Sequence, residues 1–123
     1  MLKTFEEITP DIKPEEEVMA KNIAASINNK AVGKENAVSN KKIRDAILTK
    51  YGAKYHPIRI RKMITYIRVC NLVPCLCSNS KGYYRAANED EWNSWKISMQ
   101  QRINQMQNTL DAAIFFNDGH EKL

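Results

Sequence analysis

The stretch Pro57-Ile58-Arg59-Ile60-Arg61-Lys62-Met63-Ile64-Thr65-Tyr66-Ile67-Arg68-Val69-Cys70-Asn71 decides the fold. Ile60, Met63, Ile64, Ile67 and Cys70 recur at helical spacing, which predicts an amphipathic helix from about Ile58 to Asn71. Pro57 suits its first turn, where a missing N–H leaves no hydrogen bond unmade. Burying Ile60, Ile64 and Ile67 is worth about 1.5–3 kcal/mol each before entropy, so that stripe is committed to a core. The opposite side then holds Ile58, Arg61, Lys62, Thr65, Tyr66 and Val69. That side is basic, with one ring, one Thr and no acid.

Downstream, Val73 to Leu76 reads as a strand, Cys77 to Gly82 as a polar turn and Tyr83 to Ala86 as a returning strand. Pro74 suits an edge or a strand start. A lone two-stranded hairpin is unstable in water, so this one must lean on helices. Upstream, Ser39 is a good cap for a helix over about Asn40 to Tyr51, with Ile43, Ala46 and Ile47 on one face and Gly52 at its end. The link from Gly52 to Pro57 is short. An earlier helix is predicted from Pro14 to Lys30, with Glu15, Glu16 and Glu17 at its positive end and Val18, Ala20, Ile23, Ala24 and Ile27 as its stripe. Ala37-Val38 reads as a very short strand.

Asn88 caps a fourth helix, with Glu89, Asp90 and Glu91 in its first turn. No Pro or Gly follows until Gly119, so it runs to about Asn117. The order of helix, short strand, helix, short turn, helix and hairpin is that of a winged helix-turn-helix, a mainly α (α+β) fold. The expected layout is a flexible arm over 1–14, a winged-helix domain over 15–87, the long C-terminal helix over 88–117 and a frayed tail over 118–123.

Two phrases carry a family resemblance. They are Gly33-Lys34-Glu35-Asn36-Ala37-Val38-Ser39-Asn40-Lys41-Lys42-Ile43-Arg44 and Val73-Pro74-Cys75-Leu76-Cys77-Ser78-Asn79-Ser80-Lys81-Gly82-Tyr83-Tyr84-Arg85-Ala86. They resemble small winged-helix proteins of bacterial prophages and other mobile elements, over about residues 30–105. The hairpin phrase is the specific part. Cys75 and Cys77 stand where that family tends to have Ile and Ser, and the third helix here is more basic. The resemblance implies a DNA-binding fold and a phage-type setting.

The charge distribution points the same way. The chain of 123 residues has a formal charge of +5, but residues 39–87 carry eleven Lys or Arg against one acid, Asp45. Both flanking blocks are acidic. A basic block this dense repels itself unless something anionic lies against it, and a nucleic-acid backbone is the commonest such partner. A plain solvated basic face is the competing reading. A membrane surface fits less well, because the basic helix has no apolar face left for lipid once its stripe is buried.

The candidate DNA face is Arg59, Arg61, Lys62, Thr65, Tyr66 and Arg68. Arg61, Lys62 and Thr65 point most directly away from the core and are expected at base edges; Arg59 and Arg68 are expected as phosphate clamps. Lys41, Lys42 and Arg44, near a helix start, are expected at the backbone, and Lys81 and Arg85 on the wing at a neighbouring groove. Neutralising about six to eight phosphates predicts a log–log salt slope of roughly −5 to −7.

On the fourth helix Trp92, Met99, Met106 and Ala113 are seven apart, with Ile103 and Leu110 interleaved and Lys96 as a defect. Packing on the chain's own core accounts for Trp92 and Trp95. Met99, Ile103, Met106 and Leu110 form a seam that predicts self-association as a homodimer.

The three Cys make no closed disulfide set, and Cys75-x-Cys77 is too tight for common zinc sites, so free thiols in a reducing cytoplasmic setting are expected, with no metal. A period of two places Cys75 and Cys77 on one strand face, buried or half-buried. His56 has no acid or nucleophile motif beside it and reads as a helix cap or phosphate contact. Without phosphate loops or paired carboxylates the sequence points away from an enzyme and implies no cofactor. No stretch is apolar enough for a membrane span or signal peptide. The expected function is a phage or prophage transcriptional regulator or a replication or packaging accessory; the alternative is a winged-helix protein-interaction module.

Overall fold

The computed structural model describes residues 11–118. The elements are α1 (Pro14–Lys30), a 3-10 turn (Lys34–Asn36), α2 (Asn40–Tyr51), α3 (Pro57–Val69), β1 (Leu76–Asn79), β2 (Gly82–Arg85) and α4 (Glu89–Asn117). The protein is thus mostly helical with one small antiparallel sheet. Of the expected arm over 1–14 and tail over 118–123, residues 1–10 and 119–123 lie outside the described residues. Of the arm's last residues, Asp11 is tied down, because its carbonyl accepts from Arg59 at 3.3 Å.

The α3 stripe is the middle of the core. Ile60, Met63, Ile64 and Ile67 are buried, and α3 packs on both α1 and α2. Helix α1 contributes Met19, Ala20, Ile23, Ala24 and Ile27; α2 contributes Ile43 and Ile47; Val73 and Leu76 close the side nearest the hairpin. Local signals set the helix ends. Ser39 Oγ accepts from Lys42 N at 3.1 Å and starts α2, and Gly52 in the left-handed region stops it. His56 Nδ1 accepts from Ile58 N at 3.1 Å and caps α3.

The hairpin departs from expectation. β1 begins at Leu76 rather than Val73, α3 ends at Val69 rather than Asn71, and the loop is only Ser80-Lys81. The cause is backbone shape. Asn71 and Cys75 both take positive φ, 53° and 54°, which breaks an extended run before it can pair. Val73 falls between those two bends and plugs the core. Cys75 and Cys77 therefore do not share a strand face: Cys77 is buried, whereas Cys75 precedes the strand and is exposed.

The sheet is anchored along β2, near the loop through Tyr83 and at the root through Arg85. Val38 N donates to Tyr83 O and Tyr83 N to Val38 O, both at 2.8 Å, so the expected short strand at Ala37-Val38 is a single bridge. Arg85 N donates to Ala31 O and Gly33 N to Arg85 O, also at 2.8 Å. Gly82 has φ 139°, and a Cβ there would lie 2.1 Å from the Val38 carbonyl oxygen. At the tip, Asn79 Oδ1 accepts from Lys81 N at 2.8 Å and Gly82 N at 3.2 Å, closing the two-residue loop.

Helix α4 starts on the hairpin and leaves it. Asn88 Oδ1 accepts from Glu91 N, the N-cap bond, and Glu91 Oε1 accepts from Ala87 N one residue ahead of the cap, both at 2.9 Å. Glu91 Oε2 also accepts from Lys34 N at 3.3 Å. Trp92 and Trp95 stack at 5.4 Å and are half-buried, as is Met99. From Gln100 to Asp118 every residue is exposed.

Candidate functional site

Burial of Ile60, Met63, Ile64 and Ile67 orients α3 and divides its polar residues among three sectors. Ile58, Lys62, Thr65 and Val69 lie opposite the stripe. Arg59 and Tyr66 fall on one flank, about 20° apart at 3.6 residues per turn, and Arg61 and Arg68 on the other. The structure uses the two flanks differently.

The first flank meets the acidic start of α1. Arg59 Nε donates to Glu16 Oε2 at 2.8 Å, and its Nη2 donates to Glu16 Oε1. Glu16 is buried, and its Oε1 also accepts from Lys13 N at 2.8 Å. The Arg59 guanidinium holds the Glu16 carboxyl below its ordinary value, outweighing a burial effect of opposite sign. Tyr66 is half-buried against the core, with its hydroxyl 3.3 Å from Glu17 Oε1. Burial above all, then Cys70 and Glu17, pushes its pKa up to about 12.

On the other flank Arg68 is turned inward. Its Nη1 donates to the Leu76 carbonyl of β1, and its guanidinium lies 5.1 Å from the Trp95 ring centre of α4. Burial pushes its pKa down from the usual arginine value. Arg59, Tyr66 and Arg68 thus fasten α3 to α1, β1 and α4. The expectation that Arg59 and Arg68 stand ready as phosphate clamps is replaced by this fastening.

Arg61, Lys62 and Thr65 remain. Arg61 and Thr65 are exposed and Lys62 is half-exposed. Thr65 Oγ1 donates back to the Arg61 carbonyl at 3.1 Å. Neither Arg61 nor Lys62 has a side-chain hydrogen bond or ion pair among the described residues. Ile58, at the start of the same sector, is 45% exposed, an apolar contact within a basic surface.

The α2 cations also divide. Lys41 pairs with Asp45 at 2.8 Å in an exposed i,i+4 bridge, an interaction worth little in water. Arg44 Nε donates to Asn40 Oδ1 at 2.8 Å, while Asn40 Nδ2 donates to the Pro57 carbonyl at 3.1 Å. Asn40 therefore ties the start of α2 to the start of α3. Lys42 is exposed on the rim of a groove of about 200 Å³ between α1 and α2, floored by Met19, Ile23, Ile43 and Ile47.

On the hairpin, Lys81 is exposed at the tip. Arg85 is at the opposite end, at the root, where its Nη1 donates to Asn28 Oδ1 at 3.3 Å. Asn28 Nδ2 in turn donates to the Leu72 carbonyl at 3.0 Å. Arg85, expected at a neighbouring groove, is thus engaged as an anchor at the hairpin root. Glu16, Asn28 and Asn40, to which the sequence assigned no tertiary role, are the polar pins of the domain. Nothing in a helical period marks them, since each acts on a residue far along the chain.

No protein-family model, curated protein or solved structure matches the chain. No helix among the described residues is long and apolar enough to cross a membrane.

Proposed function

We propose that the chain is a winged helix-turn-helix DNA-binding protein, with α3 in the major groove and the tip of the hairpin as its wing. One observation carries this reading: Lys62, opposite the buried stripe of α3, and Arg61, exposed on its flank, have no side-chain hydrogen bond or ion pair among the described residues. Arg61 supplies a bidentate donor for guanine, Thr65 a methyl for thymine, and Lys62 a cation for either base or phosphate. Lys42 and Lys81 add phosphate contacts from α2 and the wing, with Lys41 available because its surface bridge to Asp45 is weak. A small regulator, or a replication or packaging accessory, of phage type is the role such a domain fills.

The test is fluorescence-anisotropy titration of random-sequence duplex with the full chain and with the Arg61→Glu/Lys62→Glu variant. Both residues are surface groups, so the variant keeps its fold and is expected to lose binding. Equal affinity of the two proteins, or no binding by either at low salt, refutes the reading and favours a protein-docking role for the same face.

A further inference from the structure

The half of α4 that leaves the domain is an unusual surface for a solitary helix. Residues 99–117 hold one cation, Arg102, and one acid, Asp111, so no ladder of ion pairs supports them. Their side-chain hydrogen bonds are sparse, such as Gln100 Nε2 to Asn104 Oδ1 at 3.0 Å and Gln107 Nε2 to Asp111 Oδ1 at 2.8 Å. Ile103, Met106 and Leu110 are 51%, 72% and 52% exposed and lie on one stripe.

That stripe is the continuation of the one by which Trp92, Trp95 and Met99 rest on the domain. At 3.6 residues per turn the two sets lie within about 30° of each other. A partner helix running parallel would therefore need to place its own residues 91–99 where the hairpin already sits. An antiparallel partner avoids the collision, because its C-terminal end approaches the domain and can stop short of it.

We propose that two copies of the chain pair through α4 in antiparallel orientation, about a two-fold axis at the level of Asn108. Ile103 then faces Ala113 of the second copy, Met106 faces Leu110, and Met99 faces Asn117. Large side chains meet smaller ones in the outer apolar layers, and a and d positions alternate across the seam. A shift of one heptad inward would drive the partner's last turn against Trp92 and Lys96, so this register has the longest overlap the domain permits. Arg102 comes opposite Ile114, where its aliphatic stem can cover the seam edge. With so little charge on either helix, nothing repels the second copy.

The overlap is about 27 Å long. Such a two-helix seam buries on the order of 1,000 Å² in total, where specific interfaces begin. It holds the two basic domains apart, with their Trp95 junctions about 40 Å from each other. The pairing rests on the surface of α4 and not on the nucleic-acid reading.

Sedimentation of the full chain at tens of micromolar is expected to give a dimer, and Met106→Glu/Leu110→Glu a monomer whose domain melts as before. Both residues are exposed, so the loss reads the seam and not the fold. Orientation is read on a Cys75→Ser background with disulfides located by peptide mapping. Ile103→Cys mixed with Ala113→Cys is expected to give a 103–113 crosslink, and Ile103→Cys alone none. A monomeric parent chain, or ready 103–103 crosslinking, overturns the proposal; the first outcome leaves the seam to a different protein.

Discussion

Arg59 and Glu16 lock α3 to the first turn of α1, a two-point pairing between residues 43 apart in the chain. It converts a cation of α3 into a fastener. Because Glu16 also accepts the Lys13 amide, Glu16→Ala removes a helix cap and orphans a guanidinium at once. The expected cost is about 1–2 kcal/mol, the size of a lost cap, measured by urea denaturation.

Acid sensitivity follows from the same pair. The folded carboxyl of Glu16 titrates below its ordinary value of 4.5 because Arg59 favours the charged form. Its contribution is therefore complete above about pH 4.5 and disappears as pH falls through the lower folded value. Unfolding midpoints of the parent chain and of Glu16→Gln should stay fully apart above about pH 4.5 and draw together as the pH is taken below it. Parallel curves across that range would remove Glu16 from the account.

DNA affinity should divide the α3 arginines. Arg61→Ala is expected to weaken binding about tenfold or more, the effect of one bidentate base contact, with an unchanged melting temperature. Arg68→Ala should instead lower the melting temperature, because the Leu76 carbonyl and the Trp95 face lose their partner. With Arg59, Arg68 and Arg85 engaged internally, about three to five phosphates remain to be neutralised, so the expected log–log salt slope is about −2.5 to −4.5. That is shallower than the charge of the basic block alone suggests.

Thiol chemistry reads the bend ahead of β1. Burial pushes the Cys77 thiol up to about 11, and its side chain is fully covered. Cys75 is exposed. An alkylating reagent at pH 8 should mark Cys75 promptly and reach Cys77 only in denaturant, with peptide mass mapping as the readout.

Gly82→Ala should be among the most damaging single-methyl additions in the chain. The new carbon would enter the Val38 backbone at a φ that L-residues avoid. A loss of about 2–4 kcal/mol is expected from overpacking and backbone strain together. Calorimetry compared with Gly52→Ala, where nothing lies within 4 Å of the added carbon, separates collision from strain.

How far the sequence could be read depended on the range of each cause. The bounds of α1, α2 and α4 follow from Pro14, from Ser39 and Gly52, and from Asn88, all local signals, and they match the structure. The buried side of α3 also follows, because Ile60, Met63, Ile64 and Ile67 need only a period. The start of β1 did not, because Asn71 and Cys75 adopt positive φ without glycine to announce it. The flanks of α3 did not either. Whether Arg59 or Tyr66 is free depends on Glu16 and Glu17, and a helical wheel contains no information about residues more than 40 positions away. The engagement of Arg85 was not legible either, because its partner Asn28 lies 57 residues back in the chain.

The contact of Gly82 with Val38 also governs how such a protein can diverge. The loop end of β2 has no room for a side chain at that one position, while the neighbouring Ser80 and Lys81 are exposed in the loop under no comparable constraint. Descendants of this chain can thus exchange those two loop residues, and with them whatever the tip touches, without disturbing the helices beneath. Change at position 82 would be purged first, so its glycine should outlast most of the surface around it.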